Sequence, residues 1–458
     1  MRRSSVFSAL VLTGLVLAWG TGCESTPPPG GADELRMPAE WEPHEAMWLA
    51  WPTYDSMVGR PKEPVYLEII KALAPHVKVN LVVQSQAKAE QVQGVLAAER
   101  IPSGHVTFRV IPSSVDIWMR DTGPTFVKDG AGRARAVDFR FNSWGYEGHT
   151  SLYPWDSDVL DRDAANLLGV PVVESQMISE GGALEVNGRG TLIITEAVAF
   201  QRNPQMSRSE IEAEYKRTLG IQKVIWLKEG VPEDDLAYWR RRGVPNNVFT
   251  ALAVGGHTDE FVRFVDEDTL LLAEVTEEEA AQEPLAAVAR QRLEAAYATL
   301  RSATDQDGKP FEIIRAPAST SIYETMGPDD ETYRYITSLT FEDGTVIPQD
   351  SPITVVSATS YLNFLITNGV VLTPVYWKPG RPDSMAVKDN RMKQILQKAF
   401  PGREIVGINP EALNVGGGGI HCITQQQPVG VMASVGQSVE GTGASLAGLT
   451  SGTTSPKK

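Results

Sequence analysis

Five times along this chain, an apolar run rich in β-branched residues is followed by a stretch of helical period and then by a second apolar run. The first set covers 77–83, 87–100 and 105–111, the second 134–141, 159–168 and 171–174, and the third 191–195, 207–219 and 223–227. The fourth covers 269–275, 284–303 and 311–316, and the fifth 370–375, 388–400 and 404–408. A strand that returns through a helix to a parallel neighbour is covered on both faces, so it reads as an unbroken apolar run. The order therefore predicts an α/β protein. Helix spacing is uneven and the units share no residue-level repeat, so pattern alone leaves two arrangements: an open doubly wound sheet, or five units about an axis. Polar motifs follow the last strand of four units: Trp118-Met-Arg-Asp121, Glu180-Gly-Gly182, Gly256-His-Thr-Asp259 and the run from Asn414 to Cys422. Loops on a rigid scaffold carry chemistry, and motifs at equivalent ends of repeated units can meet at one centre. That favours the cyclic arrangement.

The ends of the chain read differently. Arg2 and Arg3 precede an apolar run over 6–19, then Gly20-Thr-Gly-Cys23. A basic head, a short apolar stretch and small residues describe a secretory signal over 1–22. The run falls short of the roughly 20 residues of a spanning helix. Small residues before Cys23 resemble a lipoprotein processing site. The expectation is an exported protein, either anchored through lipid on Cys23 or free in the periplasm or outside. Residues 24–35, rich in Pro and Gly, read as a tether. Residues 36–434 read as a single domain with an insertion of turns over about 319–352, and 435–458 as a disordered tail. The formal charge of −15 argues against a nucleic-acid partner and suits a small cation. Nothing in the pattern fixes an oligomeric state.

Of two cysteines, Cys23 lies at the processing site, which leaves Cys422 as the single thiol of the folded chain. A lone cysteine is either a small buried apolar group or a reactive one. Four glycines, 416–419, precede it and allow a ligand close to the main chain. They are not a phosphate loop, because no Lys-Ser/Thr follows. His421 adjoins the thiol, and in an extended segment neighbours point apart, so it reads as structural. Among six histidines, His257 stands out: in an extended strand, His257 and Asp259 would share a face. Too few ligands of the usual spacing surround it for a metal site. Asp121 and Glu180 complete the polar set. A thiol attacks as thiolate, and several carboxylates around it oppose ionisation unless the substrate is itself a cation. A planar guanidinium fits both needs, since its N–H fork matches carboxylates and its charge favours the thiolate.

These residues resemble a known family. Residues 37–45 with Trp48-Leu-Ala-Trp-Pro52, Asp116-Ile-Trp-Met-Arg-Asp-Thr-Gly-Pro124, Phe141-Asn-Ser-Trp-Gly145, Glu180-Gly-Gly182, Gly256-His-Thr-Asp259, Asn363-Phe364, Asn368-Gly369 and 416–428 are similar, in order, to agmatine deiminase and the bacterial peptidylarginine deiminases. The resemblance implies a five-bladed, pseudo-symmetric α/β propeller with the active site at its axis. It implies Cys422 as nucleophile, His257 as general acid and base, Asp121 and Asp259 as guanidinium ligands, Glu180 as the carboxylate holding His257 and the substrate nitrogen, and Trp118 as a channel wall. It implies hydrolytic deimination with no cofactor and no metal. Phe141-Asn-Ser-Trp-Gly is of the agmatine type, so agmatine, giving N-carbamoylputrescine and ammonia, is the expected substrate. Two alternatives stand beside it: an exported peptidylarginine or arginine deiminase making citrulline, and a non-catalytic lipoprotein that binds polyamines or guanidines.

Overall fold

The computed structural model describes residues 34–52, 60–113, 116–150, 158–239 and 248–430. The signal, Cys23, nearly all of the tether and the tail lie outside the described residues. All five expected units are present, and in each the two long strands are parallel neighbours. They are Lys78–Val83 with Val106–Val110, Ala134–Arg140 with Val172–Ile178, Thr191–Thr195 with Lys223–Leu227, Thr269–Glu274 with Glu312–Pro317, and Val370–Pro374 with Glu404–Ile408. The returning helices are Gln86–Ala98, Leu160–Leu168, Arg208–Leu219, Pro284–Ser302 and Asp383–Ala399.

The core follows from these pairings. Leu270, Leu271 and Leu272 are all fully buried, as a strand covered on both faces requires. Over them lies Pro284–Ser302, whose Ala289, Leu293, Ala296 and Leu300 form one apolar stripe at helical spacing. Each fully buried leucine of such a stripe contributes about 1.5–3 kcal/mol.

Short strands that the sequence pattern did not announce complete each sheet. Thr125–Lys128, Glu185–Val186, Val262–Phe264 and Leu365–Thr367 pair antiparallel with the first long strand of units two to five. At two to four residues they are too short to show a period. In the first unit His44–Ala50 is added parallel to Lys78–Val83, and the antiparallel partner, Gln425–Pro428, comes from the far end of the described chain. The sheets stay separate, and none closes on itself among the described residues.

The segment 319–352 holds more than the turns expected of it. Tyr323–Met326 joins Ile353–Val356 and Val248–Thr250 in a sixth sheet, and the helix Glu331–Ser338 packs Tyr333 and Ile336 with Trp144, Tyr146 and Tyr238. Its tertiary partners, rather than its local polarity, decide its structure.

Candidate active site

Five segments supply the site: 118–122, 180–182 and 414–422 follow the last long strand of units one, two and five, whereas 257–260 and 357–363 follow Val248–Thr250 and Ile353–Val356 of the sixth sheet. Asp121 sits in the single turn Met119–Thr122. Its Oδ1 accepts from the Gly182 N–H at 2.9 Å and its Oδ2 from Trp144 Nε1 at 2.8 Å. Burial, then the charges of Asp259 and Glu180, raise its affinity for a proton, while His257 and Trp144 oppose that. Glu180 is fully buried and its Oε1 accepts from Arg202 Nε at 2.6 Å. Burial works against its charge, but the Arg202 guanidinium prevails and holds it down to about 2.

His257 lies between these two acids. Its ring nitrogens stand 3.9 Å from Asp121 Oδ2 and 3.7 Å from Glu180 Oε2, and both are buried without a hydrogen-bond partner among the described residues. Burial pushes the imidazole down, yet the charges of Asp121 and Glu180 outweigh it and hold it up to about 9. An imidazole ionised at neutral pH and aimed between carboxylates without bonding either is poised for a ligand. The backbone N–H groups of Val254, Gly256 and His257 all donate to the Asp234 carboxylate, which fixes the loop that carries the ring. The extended strand expected here is absent: His257 caps a 3-10 turn over Thr258–Glu260. Residue 259 therefore does not share a face with 257 by alternation. It turns toward the thiol instead.

Asp259 Oδ2 accepts from His421 Nδ1 at 2.7 Å and from Asn363 Nδ2 at 3.2 Å, and stands 3.7 Å from Cys422 Sγ. Despite burial, His421 keeps it ionised. The other His421 nitrogen bonds Glu40 at 2.8 Å, so both faces of that ring are committed to acids. This occurs within a turn rather than the extended segment assumed from sequence. Cys422 is 5 % exposed, and its Sγ accepts from Asn363 Nδ2 at 3.2 Å. Burial, followed by Asp259, Glu260 and Asp121, pushes the thiol well above its ordinary range.

The thiol opens on a cavity lined by Trp118, Asp121, Trp144, Leu252, Val254 and the glycines 416–418. Two of those glycines are required by space. A Cβ on Gly418 would lie 2.7 Å from the Trp118 ring and 3.0 Å from Sγ, and one on Gly417, at φ +103°, 2.0 Å from the Leu252 carbonyl. All six residues singled out from sequence thus fall in one connected cluster, with Trp118 as a wall. Several partners were not singled out: Asn363, Glu260, Trp144, Arg202, Asp234 and Glu40. Asn363 and Trp144 lie inside motifs quoted for the resemblance, whereas Glu260 is reached only because the 3-10 turn puts it beside Asp259. Asp259, Glu260 and Cys422, with ligand atoms within 4.8 Å of one another, form the one grouping among the described residues that could hold a metal ion.

Comparison with known proteins places this geometry. The family model for Porphyromonas-type peptidyl-arginine deiminase matches residues 36–428. The chain belongs to this family. Its members include hydrolases of the guanidine C–N bond, and this chain is of that kind. Agmatine deiminase of Pseudomonas aeruginosa (strain LESB58) is 33% identical over 408 residues, 87% of this chain and 96% of that protein. Agmatine deiminase of Pseudomonas fluorescens (strain SBW25) is 33% identical over 89% of this chain and 98% of its own length. The solved agmatine deiminase of Enterococcus faecalis superposes with a TM-score of 0.66 at 28% identity, over 86% of this chain and 96% of that one. The deiminase family thus accounts for the mixed α/β architecture.

Proposed function

We propose that this protein hydrolyses agmatine to N-carbamoylputrescine and ammonia. The observation that carries it is a buried thiol, 3.7 Å from Asp259, on a cavity that Asp121 lines and that no Arg or Lys lines among the described residues. Free arginine differs from agmatine by a carboxylate, which a binding site would meet with Arg or Lys. Asp121 and Asp259 grip the guanidinium, with Glu180 beside the leaving nitrogen, and Trp118 and Trp144 flank the chain. Bound there, the cation offsets the anions that suppress thiolate formation. The thiol then loses its proton to solvent, and Cys422 Sγ bonds the guanidinium carbon as the C=N electron pair moves onto nitrogen. The C–N bond to a terminal nitrogen breaks, and the nitrogen leaves as ammonia with the proton of His257, which is charged at neutral pH. The resulting amidino-thioether is cleaved by a water that His257, now neutral, deprotonates. The C–S bond breaks and the ureido product departs. No cofactor enters these steps.

A second reading, action on arginyl peptides, is favoured by the family model, whose description is the peptidyl-arginine type. An ammonia-release panel of agmatine, arginine and arginyl peptides separates the two. Turnover of agmatine that disappears in Cys422→Ser is expected. Activity on arginyl peptides alone overturns the substrate assignment, and equal rates for Cys422→Ser and wild type overturn the nucleophile.

The five sheets, in this reading, stand about an axis through the cavity as a five-bladed propeller. Supporting it are the site segments 118–122, 180–182 and 414–422, which follow the last long strands of units one, two and five. Export, with lipid on Cys23, is supported by the pattern of residues 1–23 alone. Among the described residues no helix is long and apolar enough to cross a membrane. Incorporation of labelled fatty acid that is lost in Cys23→Ser is the expected result.

A further inference from the structure

The helix Glu331–Ser338 belongs to none of the five units and none of the chemical steps uses it, yet it packs behind two walls of the cavity. Its Tyr333 and Ile336 are buried in one cluster with Trp144 and Leu252, which line the cavity, and with Val415, which precedes the glycine run. A second contact is polar. Thr332 is buried, and its Oγ1 donates to the Val415 carbonyl at 3.1 Å, which receives no other hydrogen bond among the described residues. Asn414 Nδ2 donates to the Gly418 carbonyl at 3.0 Å, so a side chain braces each end of 415–418. That run has little room to move. Its backbone passes so close to the Leu252 carbonyl, the Trp118 ring and Sγ that a Cβ on Gly417 or Gly418 would collide with them. Thr332 is itself well held. Asp330 accepts from its N–H at 2.9 Å to cap the helix, Ser338 bonds Thr150 at 2.7 Å, and the Thr340 N–H donates to the His149 carbonyl at 3.0 Å.

We propose that Thr332 is a positioning residue whose hydroxyl holds the glycine run at the distance from Trp118 and Trp144 that the alkyl chain of a guanidine substrate requires. Thr332 touches no substrate. It acts through the Val415 carbonyl and the glycines that follow. Without the hydroxyl that carbonyl is a buried acceptor with no donor, and the run gains by turning it toward water at the expense of the cavity. A binding site serves its ligand only within about 0.5 Å of the productive geometry, so a small drift is enough. The effect falls on ligand binding, because neither the thiol nor the acids that grip the guanidinium are altered. The segment 319–352 is thereby a part of the site. The inference rests on the cavity being the guanidine site of the proposed function, but not on which guanidine it takes.

Calorimetric titration with agmatine and with a blocked arginyl peptide tests it, in a Cys422→Ser background so that neither compound is consumed. Thr332→Val fills nearly the same space without the hydroxyl, whereas Thr332→Ser keeps the donor. Relative to the parent, Thr332→Val is expected to weaken the better ligand about tenfold and Thr332→Ser to stay within about twofold. A merely structural role would lower the binding stoichiometry or the melting temperature in Thr332→Val and leave the Kd of the folded fraction as it was. A Kd within about twofold of the parent in Thr332→Val, or the same loss in both variants, overturns the proposal. Should Thr332→Val unfold, Thr332→Ala removes the same hydroxyl and is read in the same way. The proposal and the substrate assignment fail separately. Binding of the peptide but not of agmatine overturns the assignment, and the Thr332 variants are then compared on the peptide. Binding of neither compound to the parent overturns both.

Discussion

Asn363 carries more of the site than its single amide suggests. Its Nδ2 reaches Sγ, Asp259 and Glu260, so truncation leaves three buried acceptors short of a donor. A buried polar group left unpaired costs about 1–3 kcal/mol, which on the reaction barrier is roughly a ten- to hundredfold fall in rate. Asn363→Ala is expected to lose activity on that scale in an ammonia-release assay while its circular dichroism stays native. At Gly182 the constraint is steric. A Cβ there would lie 2.6 Å from His257 Nδ1, within the space the ring needs to face its substrate, and Gly182→Ala should abolish turnover. His257 itself links pH to both activity and stability. Its folded value of about 9 exceeds the ordinary 6.5, so its charge stabilises the fold fully below 6.5 and ceases to do so as pH rises through 9. The melting-temperature advantage of wild type over His257→Asn should therefore be largest near pH 6 and shrink by pH 9.5, with turnover falling on the same alkaline side. Cys422 and the acids of its motifs were legible residue by residue, since a thiol among carboxylates admits few substrates. Asn363 and Glu260 were not, because their roles depend on which turns face the sulfur.

The helices and long strands of the five units were readable to within a few residues, since burial on one or two faces leaves a period in the sequence. The helix Arg208–Leu219 shows how local signals fix an end. Ser207 accepts from the Glu210 N–H, and Glu210 answers with a bond to the Ser207 N–H, which together form a capping box. Gly220 stops the helix at φ +70°, where a Cβ would strike the Leu35 carbonyl. Ser207→Ala should cost about 1 kcal/mol of stability, read as a lowered denaturant midpoint, and leave the deiminase rate unchanged because the cap is remote from the cavity. The edge strands and the sixth sheet resisted such reading. Two or three residues carry no period, and Val248–Thr250 pairs with a strand a hundred positions away, Ile353–Val356.

At the scale of the whole molecule, the far end of the chain completes the first sheet. Gln425–Pro428 pairs with His44–Ala50, Gln427 Oε1 accepts from Trp48 and Asn80, and Gln425 bonds Arg120 beside the site. A chain ending at Thr424 retains every residue assigned a catalytic role but should be insoluble or molten, whereas one ending at Ser434 should melt within about a degree of the full chain. Thermal unfolding followed by near-ultraviolet circular dichroism distinguishes these outcomes. The amino-acid sequence by itself determined the α/β class, the five units and the chemical inventory, because apolar periodicity and residue type are local properties. Only the tertiary structure decided that His421 bridges two acids, that His257 caps a turn, and that Glu260 stands against the nucleophile. Each of those depends on contacts between residues up to several hundred positions apart, which no local pattern encodes.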